Sequence, residues 1–148
     1  MRSLPFSAKA EYACIAMLEL AARHGGSHPI RLKQIAEGHR IPQRFLVQIL
    51  LQLKGNGLVV SARGAAGGYQ LARPPETITL ADILNVIDRN DRPASARPGF
   101  AGPPSPVVEA VRGVWKKVQS AQQRILEGTT LADLTQRLKE GASLMYQI

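Results

Sequence analysis

At 148 residues, 45% hydrophobic and with one cysteine, the chain suits one ordinary domain, or a small domain plus an appended dimerisation element, and wholesale disorder, an internal disulfide and an all-cysteine metal site within one chain are not expected. Glu11 and Glu19 break its longest helix-like stretch well short of the ~18 apolar residues of a membrane span, and no signal-like apolar run opens it, so a cytoplasmic, non-membrane protein is expected. The net charge of +8 sits mostly on residues 1–75, which carry +7 against +1 for 76–148; this is the footprint of a polyanion-binding module, or of a surface kept soluble or drawn to anionic lipid.

Residues 7–24 read as a helix. Ser7 suits an N-cap, Tyr12, Ile15, Leu18 and Ala22 recur at helical spacing with Met17 and Leu20 filling in beside them, and Gly25-Gly26 ends the run. Being apolar over most of its circumference, this helix should be largely buried, with Cys14 as a small core hydrophobe. A short helix from Leu32 to about Glu37, closed by Gly38, comes next. Pro42 then opens a third helix that runs to Lys54 and stops at Gly55-Asn56-Gly57. Two helices around the tight turn from Gly38 to Ile41 form a helix-turn-helix candidate. On the third helix the pattern assigns Phe45, Leu46, Ile49, Leu50 and Leu53 to the core, and Arg44, Val47, Gln48 and Leu51 to the opposite face.

Leu58–Ser61 and Gly68–Leu71 read as two short strands joined by the small-residue loop Ala62-Arg63-Gly64-Ala65-Ala66-Gly67. A helix-turn-helix followed by such a hairpin is the layout of a winged helix. After Pro74-Pro75, Thr79-Leu80-Ala81-Asp82 is a capping-box start for a short helix to about Asp88. Residues 89–106, with five prolines and two glycines, read as a flexible loop.

Beyond that loop, Val107, Val111, Val114, Val118, Ala121 and Ile125 are spaced 4, 3, 4, 3, 4, with Trp115 alongside. That is an a/d seam, either between subunits or on an amphipathic helix packed against its own domain. Thr130-Leu131-Ala132-Asp133 caps a last helix whose apolar stripe is Leu131, Leu134 and Leu138. The echo between Thr79–Asp82 and Thr130–Asp133 reflects shared capping chemistry rather than an internal repeat. The expected architecture is therefore mostly α with a small β-hairpin wing. Residues 1–88 form a winged helix-turn-helix domain, 89–106 a loop, and 107–148 a dimerisation helix with a C-terminal helix.

The outward face of the third helix carries the chemistry. A guanidinium or carboxamide reads base edges in the major groove, so Arg44 suits guanine, Gln48 suits adenine, Gln43 can assist, and Val47 can meet a thymine methyl. Arg63, on its small-residue loop, can enter a minor groove, with Gly64 letting the backbone approach closely. Lys9 and Arg73 are placed to bind phosphates. Catalysis finds no support: His24, His28 and His39 lack a nearby cysteine, the run 64–68 lacks the Lys-Ser/Thr of a P-loop, and no serine nucleophile elbow occurs.

The wing string Leu58-Val59-Val60-Ser61-Ala62-Arg63-Gly64-Ala65-Ala66-Gly67-Gly68-Tyr69-Gln70-Leu71-Ala72-Arg73-Pro74-Pro75 is similar to the signature of the IscR/CymR-like, Rrf-type family of bacterial transcription regulators. The resemblance takes in Ser7, Lys9, Tyr12-Ala13, Ile35-Ala36-Glu37 and Ile41–Leu46. Downstream it takes in Ile78–Ile83, Trp115 and Thr130–Leu134. It covers nearly the whole chain except 89–106. It implies a homodimer held by a long helix, binding a pseudo-palindromic operator in double-stranded DNA, usually as a repressor. Recognition would then rest on Gln43, Arg44 and Gln48, with Arg63 on the wing. Val47 stands where some members carry a glutamate, so another member's operator does not transfer.

Many members of that family hold an iron–sulfur cluster through three cysteines in the loop before the dimerisation helix. Here residues 89–106 contain no cysteine, and on an alignment at Trp115, Arg112 and Glu109 stand where a histidine and the last cysteine often occur. Thiolates hold such clusters, so no cluster, metal or other cofactor is expected. Some cysteine-free relatives sense through a protein partner, which leaves a regulatory partner open for this chain. An adaptor without DNA binding is the other alternative, and the intact wing and basic N-terminal half speak against it.

Overall fold

The computed structural model describes residues 6–26, 28–65, 67–91 and 103–147. Among the described residues, six helices and one hairpin follow in the order α1 (Ala8–Ala22), α2 (Leu32–His39), α3 (Gln43–Gly55), β1 (Val59–Ala62), β2 (Gly68–Leu71), a 3-10 turn at Pro75–Thr77, α4 (Leu80–Asp91), α5 (Pro106–Gly128) and α6 (Leu131–Gln147). The mostly helical architecture with a small hairpin is the one the sequence implies.

Ser7 caps α1 as expected, its hydroxyl oxygen accepting the Ala10 N–H at 3.1 Å. Met17 and Leu20 take part in the buried face of α1 as read, but the rest of the expected stripe does not. Ala10, Ala13, Ala16, Met17, Leu20 and Ala21 are buried, whereas Tyr12, Ile15 and Leu18 are half-buried and Ala22 is exposed. α1 packs against α3, α4 and α6, and its alanines share the core with Met17 and Leu20.

α2 continues through Gly38 to His39, and its stop is Arg40 in the left-handed conformation at φ 56°. The Ile41 N–H donates back to the Ala36 carbonyl at 2.9 Å. The turn residue is therefore an arginine, because the tight Ile41-Pro42 connection into α3 imposes the reversal. In α3, Leu46, Ile49, Leu50 and Leu53 are fully buried, and each contributes about 1.5–3 kcal/mol by leaving water. Phe45, assigned to the core by periodicity, is instead 44% exposed. It lies in the first turn of α3 at the edge of the buried stripe, although Leu46 in the same turn is fully buried.

The hairpin is antiparallel with Val59 opposite Leu71 and Ala62 opposite Gly68, so β1 begins one residue later than expected. Ile30 adds a third partner: its N–H and carbonyl both pair with Tyr69, at 2.9 and 2.8 Å. A β-carbon on Gly68 would stand 2.4 Å from the Ile30 carbonyl oxygen, so this crossing requires glycine.

α4 runs to Asp91, taking in Arg89, Asn90 and Asp91 from the expected loop, and Pro106 likewise belongs to α5. Residues 92–102 of that loop lie outside the described residues. α6 is not a detached appendage, since Leu131 is fully buried in the same core as Met17, Ile78 and Ile83.

Candidate nucleic-acid interface

The third helix is anchored at both ends. The Pro42 carbonyl accepts the Phe45 and Leu46 N–H groups at its start, and Leu58 N–H bonds the Leu53 carbonyl at 3.0 Å as the chain turns into β1. With Leu46, Ile49, Leu50 and Leu53 turned inward, Gln43, Arg44, Val47, Gln48 and Leu51 are exposed together on the opposite face. The structure thus gathers four expected contact residues, Gln43, Arg44, Val47 and Gln48, on one accessible helix surface.

Arg63 and Gly64 are both exposed in the hairpin turn. Gly64 takes φ 104°, a conformation β-carbon-bearing residues avoid, with open space where a side chain would stand. The turn is closed by Gly67 N–H donating to the Gly64 carbonyl at 3.0 Å. Arg31, which the sequence reading did not single out, reaches from the start of α2 to donate to the Ala65 carbonyl. It ties the wing turn to the helix-turn-helix. No local pattern could reveal it, because its partner lies 34 residues along the chain.

Two expected phosphate-binding residues stand elsewhere. Lys9 occupies the first turn of α1 and is half-buried. Arg73 lies past β2 and is engaged within the chain, donating to the Thr77 carbonyl at 3.3 Å and pairing with Asp82 at 3.5 Å.

Electrostatics single out the same segment. From Gly38 to Pro75 the chain contains no aspartate or glutamate, while Arg40, Arg44, Lys54, Arg63 and Arg73 supply five cations. Acids adjoin this stretch at Glu37, paired with Lys33 across one helical turn, and at Glu76. Glu19 binds Arg23 and His39, each at 2.7 Å, on the α1–α2 side. With Arg73 paired to Asp82, the remaining cations of this stretch, interleaved with carboxamides, favour a polyanion with readable edges.

The dimerisation candidates all lie on α5, which has no buried residue within one chain. Val107, Val111, Val114, Trp115, Val118, Ala121 and Ile125 are all exposed, Trp115 at 60%. Beside this helix, Phe6, Ile15, Leu18, Leu84, Leu126 and Leu134 line an apolar groove of about 260 Å³. Cys14 borders it, and burial, followed by the nearby Glu11 charge, pushes its thiol up to about 11. Among the described residues no helix is long and apolar enough to cross a membrane.

A helix-turn-helix with an exposed cationic second helix and a following two-stranded wing defines a winged-helix, DNA-binding class of protein. Within it, the chain belongs to the Rrf2 family: residues 6–137 match the family described as "Rrf2: Iron-dependent Transcriptional regulator". Rv1287 of Mycobacterium tuberculosis, which bears the name of an HTH-type transcriptional regulator, is 42% identical over 130 residues, spanning 86% of this chain and 79% of its own. The fold is similar to that of CymR, the global cysteine regulator of B. subtilis, at TM-score 0.75 and 35% identity over 91% of this chain and 98% of CymR. It is similar also to T. potens IscR, at TM-score 0.75 and 34% identity over 94% of this chain and 91% of IscR. Proteins of this family are transcription regulators rather than enzymes, and so is this chain.

The family description names iron, and one cysteine cannot supply the several thiolates that hold an iron–sulfur cluster. The chain's one cysteine is Cys14, half-buried in α1 with its thiol held protonated. Among the described residues no three of His, Cys, Asp or Glu come together to hold a metal ion.

Proposed function

We propose that the chain is a cytoplasmic homodimeric repressor that binds a pseudo-palindromic operator without an iron–sulfur cluster. Each α3 enters a major groove, where Arg44, Gln48 and Gln43 read base edges and Val47 meets thymine methyls. Each wing delivers Arg63 to the neighbouring minor groove. The observation that carries this reading is the acid-free stretch from Gly38 to Pro75, which contains both α3 and the wing. Two half-sites read by a symmetric dimer lie about one helical turn, ~34–36 Å, apart.

The dimer half of the proposal rests on α5. A helix of 23 residues with no buried side chain and an apolar seam gains little from its own domain. A second copy laid along Val107–Ile125 would remove that surface from water and cover the adjoining groove. Loss of the cluster follows from the absence of cysteine between 89 and 106. The test is genome-wide mapping of binding sites, followed by sedimentation of the purified protein with a recovered site. A two-fold motif bound by two chains, with neighbouring genes derepressed on deletion, is the expected result. An asymmetric motif bound by one chain, or no enrichment of DNA at all, would overturn it.

A further inference from the structure

The first turn of α3 keeps an aromatic ring in solvent that its hydrophobicity would send to the core. Phe45 is exposed, while the adjacent Leu46 and the following Ile49 are fully buried. What occupies the ring is Arg44, whose guanidinium carbon lies 5.7 Å from the Phe45 centroid. No carboxylate among the described residues pairs with Arg44.

That choice of partner matters for base reading. A carboxylate would bind the same N–H edge that a guanine needs. A ring face attracts the guanidinium through its π-electrons and uses none of the five N–H donors. The long arginine side chain is thereby restricted before DNA arrives, with its donor edge free, which lowers the ordering cost of binding.

We propose that Phe45 is a positioning residue that stacks on Arg44 and presents its donor edge to a base, making it a determinant of operator specificity. This rests on the reading of Arg44 as a groove-contacting residue. It differs from a direct contact of Phe45 with a thymine methyl or a sugar, because it acts only through Arg44.

The test uses the full-length protein and a double-stranded oligonucleotide carrying the site that the wild type recovers from random DNA. Affinity and base preference are measured for Arg44→Ala, Phe45→Leu, Phe45→Tyr and the double variant R44A/F45L. Phe45→Leu is expected to lower affinity for the site about two- to fivefold. It should flatten preference at the same base position that Arg44→Ala flattens, and leave binding to random-sequence DNA unchanged. Phe45→Tyr, which keeps the π face, should retain both affinity and preference. In the Arg44→Ala background, Phe45→Leu should add no further loss. A further loss in the double variant, or a loss spread evenly over random DNA, overturns the positioning role alone. Unaltered base preference in Arg44→Ala overturns the reading of Arg44 itself, and the proposal with it.

Discussion

Thr79 and Thr130 face each other across an antiparallel bridge, each the capping residue of its own helix. Thr79 Oγ1 accepts the Asp82 N–H while Asp82 accepts the Thr79 N–H, at 3.1 and 3.0 Å. Thr130 and Asp133 repeat the exchange at 3.1 and 2.9 Å. Between the two boxes, Leu80 N–H donates to the Thr129 carbonyl and Leu131 N–H to the Ile78 carbonyl. The capping echo in the sequence is thus a physical joint, where the start of α6 is bonded to the start of α4.

This joint should carry stability. Thr130→Ala removes the acceptor for the Asp133 N–H and is expected to cost about 1 kcal/mol. Leu131→Ala, which empties a fully buried position, is expected to cost ~2–5 kcal/mol. Urea unfolding at fixed protein concentration measures both. Equal and negligible effects would show that α6 is not part of the cooperative unit.

The wing arginine should matter for specific binding. Arg63→Ala is expected to weaken operator binding by ~1–3 kcal/mol without loss of folding. Gel-shift titration at one fixed salt concentration checks this, and unchanged affinity would remove Arg63 from the contact set. Arg31→Ala, which frees the Ala65 carbonyl, is expected to act in the same direction but more weakly.

On the recognition helix, Gln48→Ala is expected to relax base preference at one position and leave the rest of the motif intact. Selection from random DNA reads this directly. Return of the wild-type motif would exclude Gln48 from base reading.

A charge placed on the seam should separate the subunits. Val114→Asp or Val118→Asp would bury a carboxylate against the second copy's apolar face, which is strongly unfavourable without a partner. Sedimentation equilibrium is expected to show a folded monomer with greatly reduced operator affinity. A dimer of undiminished stability would place the interface elsewhere.

Cys14 should react slowly. With the thiol pushed up to about 11, only ~0.1% is thiolate at pH 8. Alkylation by iodoacetamide is expected to be slow in the native protein at pH 8, to accelerate as pH rises toward 11, and to become fast on unfolding. Rapid native alkylation at pH 7 would contradict the burial of this group.

Much of the fold is legible because local signals and tertiary packing agree. Ser7, Pro42, Gly57, Thr79 and Thr130 act through neighbours within a few residues, so their helix boundaries can be read from spacing alone. The misread positions are those where packing overrides pattern. Phe45 scores as core by hydrophobicity, but it sits at the edge of a stripe whose centre is Leu46, Ile49, Leu50 and Leu53, all fully buried. Arg40, not Gly38, takes the left-handed turn, because the reversal is set by where Ile41 must enter the core. α1 buries Ala10, Ala13 and Ala16 beside Met17 and Leu20, while Ile15 and Leu18 stay half-buried.

The sequence by itself determined the order and type of the elements, the acid-free cationic stretch, and the lack of cysteines for a cluster. These depend on periodicity, capping and composition, which are local or additive. Only the tertiary structure decided that Arg31 reaches the wing, that Ile30 joins its sheet through Tyr69, that Arg73 is tied to Asp82, and that the two capping boxes meet. Each of those links joins residues whose proximity is created by burying Met17, Leu50, Ile83 and Leu131 in one core, and no local signal in the chain carries that geometry.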